Sequence, residues 1–382
     1  MGHKKLKLAV ILAFFIIIAG AGISSLLNKI FEETGKENNR NIFDHWKWWW
    51  GNYPELGEGS VVYEVCPVDE NLLEDITPLG HIFYRKDIPG AHPIPTEHTY
   101  WTIRSPCQVV APAGGVITRI YMSAQDDYSV EISHTNTFRS KFYHIRILSS
   151  NILENVGELH YGSNSVYIPV KAGDPIGIPW LRFDFGAYDR TVKHFIHPEK
   201  YCPEIASAVC PLDYFKEPLR SRLLNLTLRE IEPRGGQHDF DEPGKLVGNW
   251  ILENTLTTCD NDGWKKFVAF VYDLLDPRYL AVSLSAEALP PYGGLFRVKG
   301  NGPDFREIDV NSGEVVYKLM ETLEGVERLA ELYPDRWFVS QEFVVQYTLL
   351  VKMIDNERIK IEVFPGDVPN PTFTENAKYY TR

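Results

Sequence analysis

Residues 170–189 read VKAGDPIGIPWLRFDFGAYD, and this stretch decides how the surrounding region folds. The AGD at residues 172–174 is a turn signal, and the apolar and aromatic residues after it are typical of a strand. The stretch therefore predicts a glycine-containing hairpin followed by a strand that carries Arg182 and Asp184.

Four further runs around this hairpin have the composition of strands. They are rich in β-branched and aromatic residues, and turn signals such as AGG at residues 113–115 separate them. In chain order they read GVITRIYM, YSVEISH, KFYHIRIL and SVYIPV. We therefore expect one β-rich domain at residues 61–232.

A boundary lies at RGG, residues 234–236, and a second set of strand-like runs comes after it. These runs include KLVGNWIL, KKFVAFVYDLL, YLAVSLS and IKIEVF. Between them, residues 317–336 place apolar side chains at intervals of three, which predicts one amphipathic helix ended by Pro334. The C-terminal domain, residues 236–382, is thus expected to be mainly antiparallel β, a sandwich or a barrel, with that one helix.

The composition permits two packed domains and argues against nucleic acid as a partner. The chain has 382 residues, of which 44% are hydrophobic and 24% are charged. Its net charge is -12, and several of its cations lie at the extreme N-terminus, so the remainder is clearly acidic. Because an acidic surface repels a phosphate backbone, we expect no nucleic-acid partner.

The N-terminus has the pattern of a membrane anchor. Lysines precede an apolar run at residues 8–27, which is about the length that spans a bilayer as a helix. Positive charge before the run predicts a single-pass protein in the cell membrane, with a cytoplasmic N-terminus and an extracellular remainder. A signal peptide cleaved after Ala21, which would give a secreted protein, is the alternative. Residues 1–30 form this anchor or signal segment.

Residues 31–60 are expected to form a stalk with an aromatic end. The stalk is polar at first and then reads HWKWWWGNY. Its four tryptophans, Trp46, Trp48, Trp49 and Trp50, suit a membrane-interface belt or a sugar-stacking platform. We favour packing onto the following domain, because the tryptophans lie well beyond the apolar run.

The five cysteines fit an oxidising compartment. Cys202 and Cys210 are close enough in sequence for a local bridge, and we expect them to form a disulfide. Cys66 and Cys107 are the candidates for a second bridge, which would leave Cys259 free.

Several motifs occur in an order that resembles a known enzyme family. TEHTYW, VVAPAGGVITRI, YSVEISH, KFYHI and VKAGDPIGI come one after another within residues 76–215. The set resembles the lysostaphin/LytM-type zinc endopeptidases, which cleave peptide cross-links in bacterial cell walls. The resemblance implies the duplicated hybrid motif, a β-sandwich, for this part of the chain. A longer pattern that includes GNW and VYDLLDP resembles a divergent set of these domains, and it implies architecture more than activity.

The resemblance also implies where zinc would bind. A catalytic zinc needs three protein ligands, which the family takes from His-x-x-x-Asp and from the second histidine of His-x-His. His98 matches the first ligand, Thr102 stands where aspartate should be, and Asp184 stands at the third ligand position. Arg182 replaces an assisting imidazole and would repel a metal. His144 matches the other assisting histidine and is the one catalytic candidate; the candidate metal ligands are His98 and Asp184.

These positions allow two interpretations. In the first, which we favour, hydrolysis is lost, and Arg182 and Asp184 form an ion pair or contact a ligand. In the second, zinc binds at an altered site that borrows His81, His92 or Glu97.

The expected function is therefore binding without catalysis by a membrane-anchored, extracellular protein. The partner would be an envelope glycan, a peptide or a surface protein, held without a cofactor. The cleft that binds it would be lined by His98, Thr102, His144, Arg182 and Asp184. An active zinc metalloendopeptidase with a rearranged metal site is one alternative, and a structural subunit of a cell-surface assembly is another.

Overall fold

The computed structural model describes residues 49–84, 92–255, 258–259, 261–321 and 344–382. The chain divides into two compact units, Met1–Trp49 and Trp50–Arg382, and every described strand lies in the second unit. The predicted membrane helix, the alternative signal-peptide cleavage site and most of the stalk lie outside the described residues. No helix in the described part of the chain combines the length and the apolar character that a membrane crossing needs.

The first half of the described chain forms one sheet of nine strands. The order of hydrogen-bonded neighbours is β1-β2-β8-β6-β5-β4-β7, with β3 and β9 also paired to β8. The strands are β1 (Leu73–Thr77), β2 (Thr99–Ile103), β3 (Val109–Val110), β4 (Gly115–Ala124), β5 (Asp127–Ser133), β6 (Phe138–Leu148), β7 (Gly162–Val170), β8 (Pro175–Asp189) and β9 (Ala208–Val209). The long strand β8 thus connects most of the sheet.

Alternation along β2 and β8 separates core residues from site residues. Trp101, Phe183 and Phe185 are fully buried on one face, where the rings of Trp101 and Phe185 lie 5.6 Å apart in a T-shaped contact. Successive side chains of a strand point to opposite faces, so Arg182 and Asp184 share the other face. The aromatic core therefore fixes the orientation of the strand that carries the two residues.

The C-terminal half forms a closed barrel in which each strand pairs with the next and the last pairs with the first. Its strands are β10 (Gly248–Leu252), β11 (Phe267–Tyr272), β12 (Leu280–Leu284), β13 (Gly294–Val298), β14 (Glu314–Glu321), β15 (Val345–Asp355), β16 (Arg358–Pro365) and β17 (Lys378–Thr381). The protein is thus mainly β. Of the two architectures expected for this half, the barrel is the one observed.

The helix predicted at residues 317–336 is wrong over its first part. Residues up to Glu321 belong to β14, and the remainder lies outside the described residues. Tyr317 and Leu319 are fully buried while Lys318 between them is not, which is the two-residue period of a strand. The apolar spacing of three is therefore misleading, because alternation governs the part that the structure describes.

The described helices are short and lie in the connections. They are α1 (Ser150–Val156), α2 (Pro203–Ser207), α3 (Leu219–Leu224) and α4 (Asn261–Trp264). Residues next to the N-terminus stabilise two of these helices. The Ser149 hydroxyl caps α1 by accepting a hydrogen bond from the Ile152 amide, and Pro203 is the first residue of α2.

The predicted disulfide between Cys202 and Cys210 is wrong. Cys202 is bonded to Cys259, with the two Cα atoms 5.3 Å apart, and Cys66, Cys107 and Cys210 are free thiols. Helix α2 lies between Cys202 and Cys210, and the Cys210 thiol faces the backbone carbonyl of Gly235 instead. Next to Cys259, the Thr258 hydroxyl donates a hydrogen bond to the Lys200 carbonyl, and this contact brings Cys259 close to Cys202. The partner of Cys202 is therefore set by the tertiary fold and not by distance along the sequence.

The aromatic end of the predicted stalk packs onto the domain at Trp50. This side chain is 4% exposed, and the Arg139 guanidinium lies 5.1 Å from its ring and donates a hydrogen bond to its carbonyl. Trp46 and Trp48 lie outside the described residues. For Trp50, packing is confirmed.

Candidate functional site

The strand register brings the predicted cleft residues together on one face of the sheet. Tyr100 of β2 lies opposite Asp184 of β8, and Thr102 lies opposite Arg182. His98 directly precedes β2, two residues before Tyr100. Alternation therefore places Thr102, Arg182 and Asp184 on the face that points away from the aromatic core.

His98 is buried between two carboxylates. Its Nδ1 lies 3.1 Å from Glu97 Oε1 and its Nε2 lies 3.4 Å from Asp184 Oδ2, and the residue is 4% exposed. Burial disfavours the charged imidazole, but the negative charges of Glu97 and Asp184 outweigh burial and raise the pKa of His98. The two carboxylates therefore stabilise the protonated form of this imidazole against the effect of burial.

His144 contacts the same Asp184 oxygen from the solvent side. Its Nε2 lies 3.4 Å from Asp184 Oδ2, and its Nδ1 lies 3.0 Å from Asp127 Oδ1. The hydrogen bond to Asp184 raises the pKa of His144 to about 9, against the effect of partial burial, with further contributions from both carboxylate charges. Its side chain is 49% exposed, so His144 is the cleft histidine that a ligand can reach.

Together these groups form a chain of alternating charge, which we call the charge chain: Glu97, His98, Asp184, His144 and Asp127. Burial alone would raise the pKa of both Glu97 and Asp184. The charge of His98 instead lowers the pKa of Glu97 to about 2 and, with the hydrogen bond from His144, also lowers that of Asp184. The arrangement stabilises two imidazolium groups among three carboxylates. An imidazolium nitrogen carries its proton where a metal ligand needs a free lone pair.

Thr102 and Arg182 have partners of their own. The Thr102 hydroxyl donates to Asp75 Oδ1 at 3.0 Å. The Arg182 guanidinium lies 5.0 Å from the ring of Tyr100 and donates to the Thr77 hydroxyl at 3.4 Å. One of the two expectations for Arg182, an ion pair with Asp184, is therefore wrong, because the guanidinium extends towards β1 and makes other contacts there.

The family's zinc ligands do not fit this site. Thr102 supplies a hydroxyl in place of a carboxylate, and a guanidinium lies on the same face. Within the described residues, no group of three or more His, Cys, Asp or Glu side chains has the geometry to hold a metal ion.

His81 and His92 flank the charge chain without joining it. His81 makes a T-shaped contact with Tyr100 at 5.4 Å, and His92 lies 6.0 Å from His98. Burial lowers the pKa of both imidazoles, which therefore stay neutral. His92 also contacts Trp264 of α4 at 5.3 Å, so the barrel half supplies one wall of the site.

Sequence reasoning missed Asp127, Asp75 and Trp264. Asp127 lies at the start of β5 and ends the sequence AQDD, in which an aspartate is typical of a turn and does not indicate a site. Asp75 follows a register irregularity between Leu73 and Asp75 on β1, so alternation counted from the buried Leu73 would have placed its side chain on the core face. Trp264 comes from the other half of the chain, and no local pattern points to its contact with His92.

No protein-family model and no curated protein matches the chain. Among solved structures, it is similar to Helicobacter pylori Csd3 at 17% identity and a TM-score of 0.25, over 41% of this chain and 35% of that chain. It is similar to the SpoIIQ-SpoIIIAH pore-forming complex at 14% identity and a TM-score of 0.25, over 42% of this chain and 96% of that chain. It is also similar to lysostaphin at 10% identity and a TM-score of 0.21, over 81% of this chain and 91% of that chain. The chain thus spans about a third of the Csd3 chain, and matches at these scores do not define its family.

Proposed function

We propose that this protein is a non-catalytic, peptidase-like binding protein of the cell envelope. The observation that carries the proposal is the charge chain. The residues at the family's ligand and assisting positions, His98, Asp184 and His144, are bound to one another as ion pairs. The duplicated hybrid motif is part of this proposal, on the strength of the sequence motifs and of the β-sheet.

The proposed site lacks the groups that hydrolysis by this family requires. A general base must have a free lone pair, and the carboxylates beside both histidines of the charge chain raise the pKa of each imidazole, which works against that form. Arg182 cannot act as a base at any ordinary pH. The side chains remain able to bind a ligand through charge and hydrogen bonds at His144, Arg182 and Thr102, which are all partly exposed.

The proposed setting rests on the N-terminal apolar run at residues 8–27. Such a run would anchor the chain in the cell membrane and place the sheet and the barrel outside. The partner would then be an envelope peptide or glycan, or a surface protein.

The test is zinc content and hydrolysis, measured on the full chain purified in detergent without chelator. We expect substoichiometric zinc and no release of amino groups from cross-linked peptidoglycan. The variants are His98→Ala and, as a matched control on the surface, His160→Ala. Near-stoichiometric zinc that His98→Ala removes and His160→Ala keeps would refute the proposal.

An active zinc endopeptidase is the second candidate, and two observations favour it. The Nε2 atoms of His98 and His144 both lie 3.4 Å from Asp184 Oδ2, so the three side chains at the family's ligand and assisting positions are neighbours. Glu97 Oε2 and His92 Nδ1 are also buried without a hydrogen-bond partner. Zinc-dependent cleavage that is lost in both His98→Ala and His92→Ala would establish this alternative.

A further inference from the structure

Three neighbouring strands at the β7 end of the sheet place side chains on one common face. Tyr121 of β4 lies opposite Ser129 of β5 on one side and opposite Ser163 of β7 on the other. Residues directly opposite each other in an antiparallel pair project their side chains to the same face of the sheet. Tyr121, Ser129 and Ser163 therefore share a face that crosses β5, β4 and β7.

Burial of the residues in between shows that this face points away from the core. Ile120 precedes Tyr121 and Val130 follows Ser129, and both apolar side chains are fully buried in the core. Tyr121 itself is 44% exposed. Because successive residues of a strand point to opposite faces, Tyr121 and Ser129 project outwards.

The same alternation extends the outward face along β7. Ile168 is buried in the core and Val166 packs against it, so Ser165 and Tyr167 point the other way. Ser165 is exposed, and Tyr167 is 54% exposed. Strand β7 stands at the end of the strand order, so this row of side chains lies at the margin of the sheet.

The outward residues combine two aromatic rings with serine hydroxyls. Tyr167 lies four residues along β7 from Ser163, the partner of Tyr121, so the two tyrosines are about 13 Å apart along the strand direction. A serine hydroxyl can both donate and accept hydrogen bonds. We call these residues the tyrosine–serine face: Tyr121, Ser129, Ser163, Ser165 and Tyr167.

The ring of Tyr167 is held in position by its neighbours. Its hydroxyl donates a hydrogen bond to Glu55 Oε1 at 3.2 Å, and the ring of Tyr53 lies 6.4 Å from its own at a tilt of 44°. A ring that is already oriented loses less conformational entropy when a ligand binds. The exposed ring is therefore a preorganised contact surface.

We propose that the tyrosine–serine face binds a neutral glycan strand of the cell envelope. The apolar faces of sugar rings stack on Tyr121 and Tyr167, and sugar hydroxyls exchange hydrogen bonds with the serines. The proposal rests on the proposed binding function and names the class of its ligand. The face continues to the charge chain, because Asp127 lies two residues before Ser129 on β5 and alternation gives both the same orientation.

The charges on and beside this face favour a neutral ligand. Arg119 and Glu131 lie opposite each other on β4 and β5, with Nη1 of Arg119 3.3 Å from Oε2 of Glu131, so these two charges balance each other. Glu55 adds a negative charge beside Tyr167, and the protein has a net charge of -12. Both negative contributions disfavour an anionic polymer.

The composition of the face favours a glycan over a peptide. The centre of a protein interface is apolar and excludes water, whereas serine hydroxyls lie between these two tyrosines. A peptide that paired with the margin of the sheet at β7 would bind chiefly through backbone hydrogen bonds and would not need the tyrosine rings. A peptide is therefore an outcome of the test and not the proposal.

The experiment measures binding of three probes to the full chain in nanodiscs by isothermal titration calorimetry. The probes are a β-1,4-linked N-acetylglucosamine hexamer, a galacturonic acid hexamer and the neutral peptide acetyl-tetraalanine-amide. We expect the N-acetylglucosamine hexamer to bind. The anionic hexamer should bind at least about tenfold more weakly because of the negative charge of the protein. The peptide should also bind at least about tenfold more weakly, since it has no sugar ring to stack on the tyrosines.

The variants test the two rings separately. Tyr121→Ala and Tyr167→Ala should each weaken binding of the N-acetylglucosamine hexamer about tenfold. Tyr167→Phe should weaken it less, because the ring is kept and only the hydrogen bond to Glu55 is lost. Tyr292→Ala is the matched control and should leave the affinity unchanged, because Tyr292 is also 54% exposed but lies in the connection between β12 and β13.

Three results would overturn the inference. The first is no binding of the N-acetylglucosamine hexamer, or an affinity that either tyrosine-to-alanine variant leaves unchanged. The second is equal or tighter binding of the galacturonic acid hexamer. The third is equal or tighter binding of the peptide with the same dependence on Tyr121 and Tyr167, which would assign the face to a peptide. None of these results alters the zinc and hydrolysis measurements at the charge chain, so they are distinguishable from failure of the proposed function.

Discussion

The two histidines of the charge chain differ in their access to water. His98 is buried, and its charge is balanced on both sides by Glu97 and Asp184. His144 is half exposed and makes the same kind of contact with Asp127 and Asp184. Water screens the pairs of His144 more strongly than the buried pairs, so they contribute less to stability and remain open to competition by a ligand.

The titration of His144 tests the charge chain directly. Its pKa is raised to about 9, chiefly by the hydrogen bond to Asp184, with Asp127 contributing by charge and hydrogen bond. Asp127→Asn removes one of the two charges, so the pKa should fall towards its ordinary value of about 6.5. NMR titration of the imidazole Cε1–H would measure the change, with His160 as an internal reference. An unchanged His144 pKa would show that the contact with Asp127 is not formed.

His134 provides a second residue-scale prediction, away from the cleft. It is buried, with Nδ1 2.8 Å from the Gly114 carbonyl and Nε2 2.7 Å from the Ser140 hydroxyl. Desolvation lowers its pKa to about 4, so the folded state holds it neutral. The unfolded chain binds a proton below about pH 6.5, and the stability that His134 contributes above that pH is lost as pH falls towards 4.

The loss should amount to about 1.4 kcal/mol per pH unit and about 3 kcal/mol in total. Urea unfolding between pH 4 and 7 would measure it as a difference between the native chain and His134→Asn. The variant should have a shallower dependence on pH, while His160→Asn should keep the native slope. Equal slopes for the native chain and His134→Asn would contradict a neutral buried imidazole.

At the scale of elements, strand β8 shows what sequence could establish. Its hairpin, its strand character and the placement of Arg182 and Asp184 follow from turn residues and side-chain alternation, which are local properties. The contact of Thr102 with Asp75 and the separation of β8 from β6 at His144 depend on register between distant segments. Register is set by packing of the whole sheet, so no single run of residues reveals it.

Gly177 is the point where β8 requires a residue without a side chain. A Cβ there would lie 2.3 Å from the Ile147 carbonyl oxygen and 2.7 Å from Ile145 Cγ2. Gly177→Ala should therefore separate β6 from β8 and destabilise the fold by about 1–3 kcal/mol, as measured by urea unfolding. Gly114→Ala is the matched control, because its Cβ would meet nothing closer than 3.6 Å. Equal stability of the two variants would show that the strands can separate at this point without cost.

At the scale of the molecule, the sheet and the barrel share the walls of the candidate site. His92 packs on Trp264, and Ser283 of β12 donates to the Pro93 carbonyl and hydrogen bonds with Tyr84. These contacts join Tyr84, His92 and Pro93 to the barrel, a few residues before Glu97 and His98 in the chain. The closed barrel was one of two expected architectures, but its contacts with the site join distant parts of the chain and were not predictable from local pattern.

The disulfide between Cys202 and Cys259 links these halves covalently, in addition to the peptide backbone that connects them. It closes a loop with a sequence separation of 57 residues. A crosslink over such a loop reduces the conformational entropy of the unfolded chain and stabilises the folded state by about 4 kcal/mol. Cys202→Ser should lower the free energy of unfolding by about this amount in urea titrations under non-reducing conditions. Cys107→Ser, which alters a free thiol, should change stability much less. If the two variants are equally stable, the crosslink does not form in the folded protein, and the pairing of Cys202 must be reassigned by peptide mapping.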